Sequence, residues 1–196
     1  MRLLKEAGYD VRDRKLTDAA GKPVSLEILV QDPSGERIAL FYKPSLERIG
    51  VNASIRIVDD AQYQNRLRSF DFDMIIDVFP ESLSPGNEQR EFWGSQTADQ
   101  PGSRNTIGIK NPAVDTLIDK VIFAKDRAGL VAATKALDRV LLWNFYVVPQ
   151  FTYGFSRYAR WDRFSHAEPL PKYGHSGLPS LWWYDADKAA RIGKRS

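Results

Sequence analysis

The sequence predicts an α/β fold, a lobe with a mainly parallel or mixed sheet flanked by helices, followed by an extended C-terminal segment. Strand-like and helix-like stretches alternate between Val24 and Phe79, and successive βαβ units cross over right-handed to set parallel strands side by side. Two amphipathic helical stretches then follow between Asn111 and Asn144. Beyond Gly154 the periodicity gives way to prolines, glycines, aromatics and arginines. The expected division is an α/β lobe over residues 1–150 and a C-terminal segment over residues 151–196.

Met1 to Gly8 reads as the last turns of a helix ending at Gly8, a residue suited to the left-handed position after a helix. A chain that opens in mid-helix is expected to have lost something upstream. Leu16 to Pro23 is a turn between two extended stretches. Val24 to Val30 alternates and then becomes apolar, as a partly buried strand does. Asp32-Pro33-Ser34-Gly35 breaks it and opens a helix whose apolar residues are Ile38, Phe41, Tyr42, Leu46 and Ile49, with a kink or interruption expected at Pro44. After Gly50 a second strand alternates from Val51 to Val58, a second helix covers Ala61 to Phe70, and Phe72 to Phe79 forms a buried third strand.

Asn111-Pro112 is an N-cap followed by proline at the first helical position, and Val114, Leu117, Ile118, Val121 and Ile122 make one apolar face. Asp115 lies in the first turn, where the helix dipole favours an anion. A further helix runs from Asp126 to Asn144 with Leu130, Thr134, Leu137 and Leu141 on one face. Tyr146 to Tyr153 is an extended exit strand, and a short terminal helix starts near Asp185.

Composition narrows the chemistry. There is no cysteine, which removes disulfides and thiolate catalysis together. The net charge of +3 is too small to imply nucleic acid by itself. No apolar run approaches the ~18 residues of a membrane-spanning helix. His166 and His175 lie in a Pro/Gly-rich stretch and read as exposed loop histidines. No phosphate loop, G-x-G-x-x-G, H-E-x-x-H or G-x-S-x-G motif occurs. Neither a cofactor nor a metal ligand set is implied.

The informative segment follows the third strand. Residues 80–90 form a polar loop that closes on Glu91-Phe92-Trp93, and ligands of α/β sheets gather beyond the carboxyl ends of the strands. The loop carries carboxylates, an amide, an arginine and flanking aromatics, but no nucleophile with its base. Candidate ligand contacts are Asp77, Phe79, Glu81, Ser84, Asn87, Glu88, Arg90 and Trp93. A carboxylate there can hold an ammonium group and Arg90 can fork onto a carboxylate, the two ends of a peptide-like ligand. Two other classes compete. A hydrolase can be imagined on the acids of Asp71–Glu91, with Asp59-Asp60 or Asp71 and Asp73 as paired carboxylates, although these sit at strand edges where solvated acids are routine. A single-strand nucleic-acid module can be imagined on Arg157–Phe164, where arginines interleave with aromatics, but the modest net charge and the acids Asp162 and Glu168 favour a surface segment that packs its aromatics and leaves its arginines solvated.

The residue order also resembles a known family. Leu3-Leu4-Lys5-Glu6-Ala7-Gly8-Tyr9, the strand Leu26–Val30, Leu46-Glu47-Arg48-Ile49-Gly50-Val51, Phe72-Asp73-Met74, the stretch Ile107 to Ile118 and Val148-Pro149-Gln150-Phe151 together resemble the family 5 extracellular solute-binding proteins. These are receptors of ABC importers for oligopeptides, dipeptides and nickel. Ser82 to Arg90 with Phe92-Trp93-Gly94 is similar to the oligopeptide/microcin C-type (Yej) branch, a likeness extended by Arg160 to Phe164 and Leu170-Pro171-Lys172-Tyr173-Gly174. The resemblance implies one lobe of a class II periplasmic binding protein, the C-terminal lobe of a two-lobed trap. It also implies a non-enzymatic periplasmic receptor that delivers peptides or peptide-like compounds to an inner-membrane ABC permease. The N-terminal lobe of the same receptor would be missing, with residues 151–196 returning toward it. Peptide receptors of the family carry a tryptophan and an ammonium-binding aspartate after the equivalent strand, where this chain reads Asp77-Val78-Phe79-Pro80-Glu81.

Overall fold

A computed structural model describes residues 1–155, 157–171 and 179–192. Helix α1 (Arg2–Glu6) is followed by Gly8 at φ +88°, the left-handed backbone that glycine adopts without a Cβ penalty. Strands β1 (Asp10–Arg12) and β2 (Lys15–Thr17) form an antiparallel hairpin. Its two turn residues, Asp13 and Arg14, both have positive φ, the type I′ pattern that matches strand twist. Neither is glycine or asparagine, so the hairpin has no sequence signal.

Strand β3 (Ser25–Val30) leads into α2 (Pro33–Glu47), capped by the Asp32 carboxylate, which accepts from Ser34 N at 2.7 Å and Gly35 N at 3.0 Å. The interruption expected at Pro44 does not occur; α2 continues through it. Proline forgoes its own bond to the carbonyl four residues back, and its ring crowds that carbonyl. That carbonyl belongs to Leu40, an exposed residue, where water can take the bond. The packed face of α2 is Ala39, Tyr42, Leu46 and, just beyond the helix, Ile49. Phe41, expected on that face, is 89% exposed.

Strands β4 (Asn52–Ile57) and β5 (Met74–Ile75), with α3 (Asp60–Arg68) between them, complete a three-stranded parallel sheet of order β4-β3-β5. Adjacent residues of a strand face opposite ways. Ile28 and Val30 therefore pack with α2 on one face, while Leu29 packs with Val58 and Tyr63 on the other. The central strand is β3, which accounts for its apolar run. The long buried strand expected over Phe72–Phe79 is corrected to two half-buried edge residues. Met74 and Ile75 pair with Ile28 and Leu29 on one side only, and Asp73 spends its carboxylate on Glu27 N at 2.9 Å.

Beyond the sheet lies a helical cluster. Helix α4 (Glu88–Trp93), a short 3₁₀ turn (Ser95–Thr97), α5 (Pro112–Ile122) and α6 (Arg127–Trp143) bury Phe92, Ile109, Val114, Ile118, Val121 and Leu137 together. The expected cap at Asn111 holds, with its side chain accepting from Ala113 N, and Asp126 caps α6 by accepting from Gly129 N. Asp115 does more than meet a dipole. Its two oxygens accept from Ser95 N at 2.9 Å and Ser95 Oγ at 2.6 Å, tying α5 to the turn after α4. Asn105 is fully buried; it donates to Gly94 O and Ile109 O and accepts from Ile109 N.

Packing divides the chain into two units, Met1–Val147 and Val148–Ser196. The second contains the antiparallel pair β6 (Phe164–His166) and β7 (Trp182–Tyr184), followed by α7 (Ala186–Ile192). Asp185 accepts from Lys188 N and Ser165 Oγ, and these bonds hold its carboxyl below the usual range. The exit strand expected over Tyr146–Tyr153 is not a strand, because none of its backbone joins a ladder among the described residues. Phe151, Tyr153 and Phe155 are 62%, 71% and 57% exposed, with neighbouring rings 5.4 and 6.0 Å apart. His166, expected in a loop, is half-buried in β6 with its ring 4.3 Å from Trp182. His175 and the run Lys172-Tyr173-Gly174 lie outside the described residues.

Candidate functional site

The chain leaves the carboxyl end of β5, crosses residues 76–87 as an irregular loop and enters α4. Between this loop and α6 lies a cavity of about 410 Å³. Its apolar wall comes from Phe79 and Trp93 on one side and Leu130, Leu137 and Leu141 on the other. Phe79 reaches it because its ring packs edge-on to Phe92 at 5.6 Å and against Trp93 at 4.5 Å. Polar groups on the wall are Glu81, Ser82, Gln89, Arg127, Thr134, Lys135 and Asp138.

Gln89 organises the loop side. It is 5% exposed, its Oε1 accepts from the Trp93 indole N–H at 3.1 Å, and its Nε2 donates to Glu81 Oε2 at 2.7 Å. The indole can only donate, so the amide orientation follows and its N–H₂ must face Glu81. Burial pushes the Glu81 carboxyl above the usual range; the Gln89 bond opposes this and the charge of Glu88 adds to it. Glu88 goes the other way. Burial alone would raise it, but Gly86 N at 2.7 Å, its own backbone N–H and the Gln89 amide together hold it below the usual range.

Of the eight candidates from the sequence, Phe79, Glu81 and Trp93 line this cavity. The others are placed elsewhere or otherwise engaged. Asp77 accepts from Thr106 Oγ1 at 3.0 Å and from Val78 N. Ser84 is exposed on the loop, its N–H bonded to Ser82 Oγ. Asn87 precedes α4 without a side-chain capping bond, and Glu88 folds back onto Gly86. Arg90 donates to Asp119 at 2.7 Å and lies over Phe123, so the fork expected for a ligand carboxylate is directed at α5. Gln89 and the α6 wall belong to the site without any motif that marks them in the sequence. A hydroxyl at Thr134 inside the stripe Leu130, Leu137, Leu141 was the available sign. Arg127 fixes the loop by donating to Leu83 O at 2.6 Å.

Three of the four acids considered as catalytic pairs have structural partners. Asp59 caps α3 by accepting from Gln62 N, Asp71 pairs with Arg66 at 3.1 Å, and Asp73 holds Glu27 N. In the second unit Arg157, Arg160 and Arg163 lie over Phe155, Trp182 and Trp161.

Residues 1–100 match the family described as bacterial extracellular solute-binding proteins, family 5, middle region. The chain is 51% identical over 184 residues to a probable peptide-binding protein, YejA, of Agrobacterium fabrum, covering 93% of this chain and 30% of that protein. It is 50% identical over 182 residues to an uncharacterized protein, y4wM, of Sinorhizobium fredii, covering 92% and 27%. Among solved structures, the oligopeptide-binding protein AppA of Bacillus subtilis, in complex with a nonapeptide, superposes with a TM-score of 0.65 at 21% identity, covering 74% of this chain and 29% of AppA. That likeness concerns the fold. The chain spans less than a third of the length of these relatives.

Proposed function

The chain belongs to the bacterial extracellular solute-binding proteins of family 5, and from this premise we propose that it forms one ligand-binding lobe of the substrate-binding component of an ABC importer, taking peptides or peptide-like compounds. The observation that carries the reading is the cavity beyond the carboxyl edge of the parallel sheet, where Phe79 and Trp93 offer apolar contact and the Glu81–Gln89 pair offers fixed polar contact. Ligand pockets combine these features, a mainly apolar lining with a few placed polar groups. A relative named as peptide-binding and an oligopeptide-binding structural neighbour support the ligand class. The receptor works in the periplasm with an inner-membrane permease, and a second lobe of the same receptor closes over the ligand. The exposed aromatics Phe151, Tyr153 and Phe155 belong to the segment that runs toward that second lobe.

Calorimetric titration of the intact receptor with a library of short peptides tests the proposal. Saturable binding with intact peptide recovered after prolonged incubation is the expected result. Peptide cleavage that disappears in Glu88→Gln would establish the hydrolase instead. A salt-sensitive gel shift with single-stranded nucleic acid would move the function to Arg157–Phe164.

A further inference from the structure

Thr134 lines the cavity from α6, and its hydroxyl oxygen is buried with no hydrogen-bond partner among the described residues. A threonine in a helix ordinarily bonds its hydroxyl back to a carbonyl of the preceding turn. Here that bond is absent, and a buried polar atom without a partner costs free energy comparable to a lost hydrogen bond. Threonine has two accessible χ1 rotamers in a helix, and exchanging them swaps methyl and hydroxyl between the backbone and the open side. A polar ligand group seated in the cavity would select the inward hydroxyl.

The opposite wall supplies an open acceptor. Glu81 is exposed; its Oε2 takes the Gln89 amide, while Oε1 accepts no hydrogen bond among the described residues. The charged groups on the walls balance, with Glu81 and Asp138 against Arg127 and Lys135. With the wall charges balanced, neither an ammonium nor a carboxylate gains a net preference. A neutral hydroxyl needs no net wall charge, and it can donate to Glu81 while accepting from Thr134. Phe79, Trp93, Leu137 and Leu141 provide an apolar bed that suits an aromatic ring.

We propose that this cavity is a subsite for an aromatic ligand group bearing a hydroxyl, of the phenol or tyrosine kind, with the hydroxyl held between Thr134 and Glu81. The subsite rests on the receptor reading for the identity of its ligand as a peptide. It assigns Thr134 a ligand-binding role.

The test uses the 196-residue chain, isotope-labelled, titrated with p-cresol and separately with toluene and read by amide and indole resonances in NMR. The expected result is that p-cresol shifts the Thr134 amide and the Trp93 indole N–H and binds about tenfold tighter than toluene, the worth of roughly one net hydrogen bond. Thr134→Val should bring p-cresol to the toluene level, whereas Thr134→Ser, which keeps the hydroxyl, should retain the preference. Equal binding of the two probes, shifts confined to other resonances, or an undiminished preference in Thr134→Val would overturn the proposal. If p-cresol binds as stated and no peptide binds the intact receptor, the peptide reading fails and the subsite stands. If peptides bind and p-cresol leaves Thr134 and Trp93 unmoved, the subsite alone fails.

Discussion

Trp93 donates its indole N–H to Gln89 Oε1 at 3.1 Å, one helical turn earlier in α4, and both side chains are buried. The bond makes Gln89 an oriented donor toward Glu81. Gln89→Leu removes both contacts and leaves the indole N–H buried without a partner. The expected loss of stability is about 1–3 kcal/mol, read as a lower urea midpoint at unchanged slope. Gln89→Glu should also destabilise, because a carboxylate beside Glu81 has no N–H to give it.

Asn105 is fully buried and makes three hydrogen bonds to the backbone of Gly94 and Ile109. Asn105→Ala strands the Ile109 carbonyl and N–H in the helical cluster, while Gly94 O keeps its bonds from Thr97 N and Thr97 Oγ1. A loss of about 3 kcal/mol or more is expected from the cost of buried unpaired groups. Asn105→Asp should not rescue it, since a carboxylate can accept from Ile109 N but cannot donate to either carbonyl. Thermal unfolding of the three proteins checks the order.

Gly8 and Gly50 share a φ of +88° but differ in surroundings. At Gly8 an added Cβ meets nothing within 4 Å, so Gly8→Ala should cost only the left-handed backbone penalty of about 1–2 kcal/mol. At Gly50 an added Cβ falls 2.6 Å from Leu16 N, a backbone atom already bonded to Gly50 O. Gly50→Ala should therefore be clearly the more destabilising of the two by denaturant titration, and equal midpoints would contradict the close approach.

Glu81 and Glu88 respond to pH in opposite senses. The Glu81 carboxyl is raised above its unfolded value, so the folded state holds the proton more tightly, and its contribution is present at low pH and lost as pH rises through the folded pKa. The Glu88 carboxyl is lowered, so its contribution is present above the unfolded pKa and lost as pH falls through the folded value. Glu81→Gln should thus gain stability relative to the parent chain as pH rises from about 4 to 7, in line with ordinary carboxylate pKa values near 4. Glu88→Gln should lose ground over the same range. Urea unfolding across that pH series would expose a reversed sign.

If a second lobe closes over the ligand, the 196-residue chain alone should bind peptides far more weakly than the intact receptor. Losing ~4 kcal/mol of contact weakens binding about a thousandfold. Equal affinity in both would place a complete site within this lobe.

Much of the fold was legible because its signals are local. Asn111-Pro112 and Asp126 announce the starts of α5 and α6 through capping chemistry, and Val114, Ile118 and Val121 declare a buried face by spacing alone. The alternation of strand and helix from Val24 onward determined a parallel sheet through the handedness of crossovers. Tertiary structure decided what depends on partners. Phe72–Phe79 has the composition of a buried strand, but only Met74 and Ile75 find a ladder partner at the sheet edge, and the remainder becomes the loop that reaches the cavity. Phe41 has the hydrophobicity of a core residue, and α2 turns it to the surface because Ala39, Tyr42 and Leu46 meet the sheet. The sequence pointed to the loop that borders the cavity, since the carboxyl ends of strands are fixed by topology. It could not pair that loop with Thr134, Lys135 and Asp138 some fifty residues onward. Contacts across such a distance are set by how α4 and α6 pack around Phe92, Trp93 and Leu137, and no local spacing encodes that geometry.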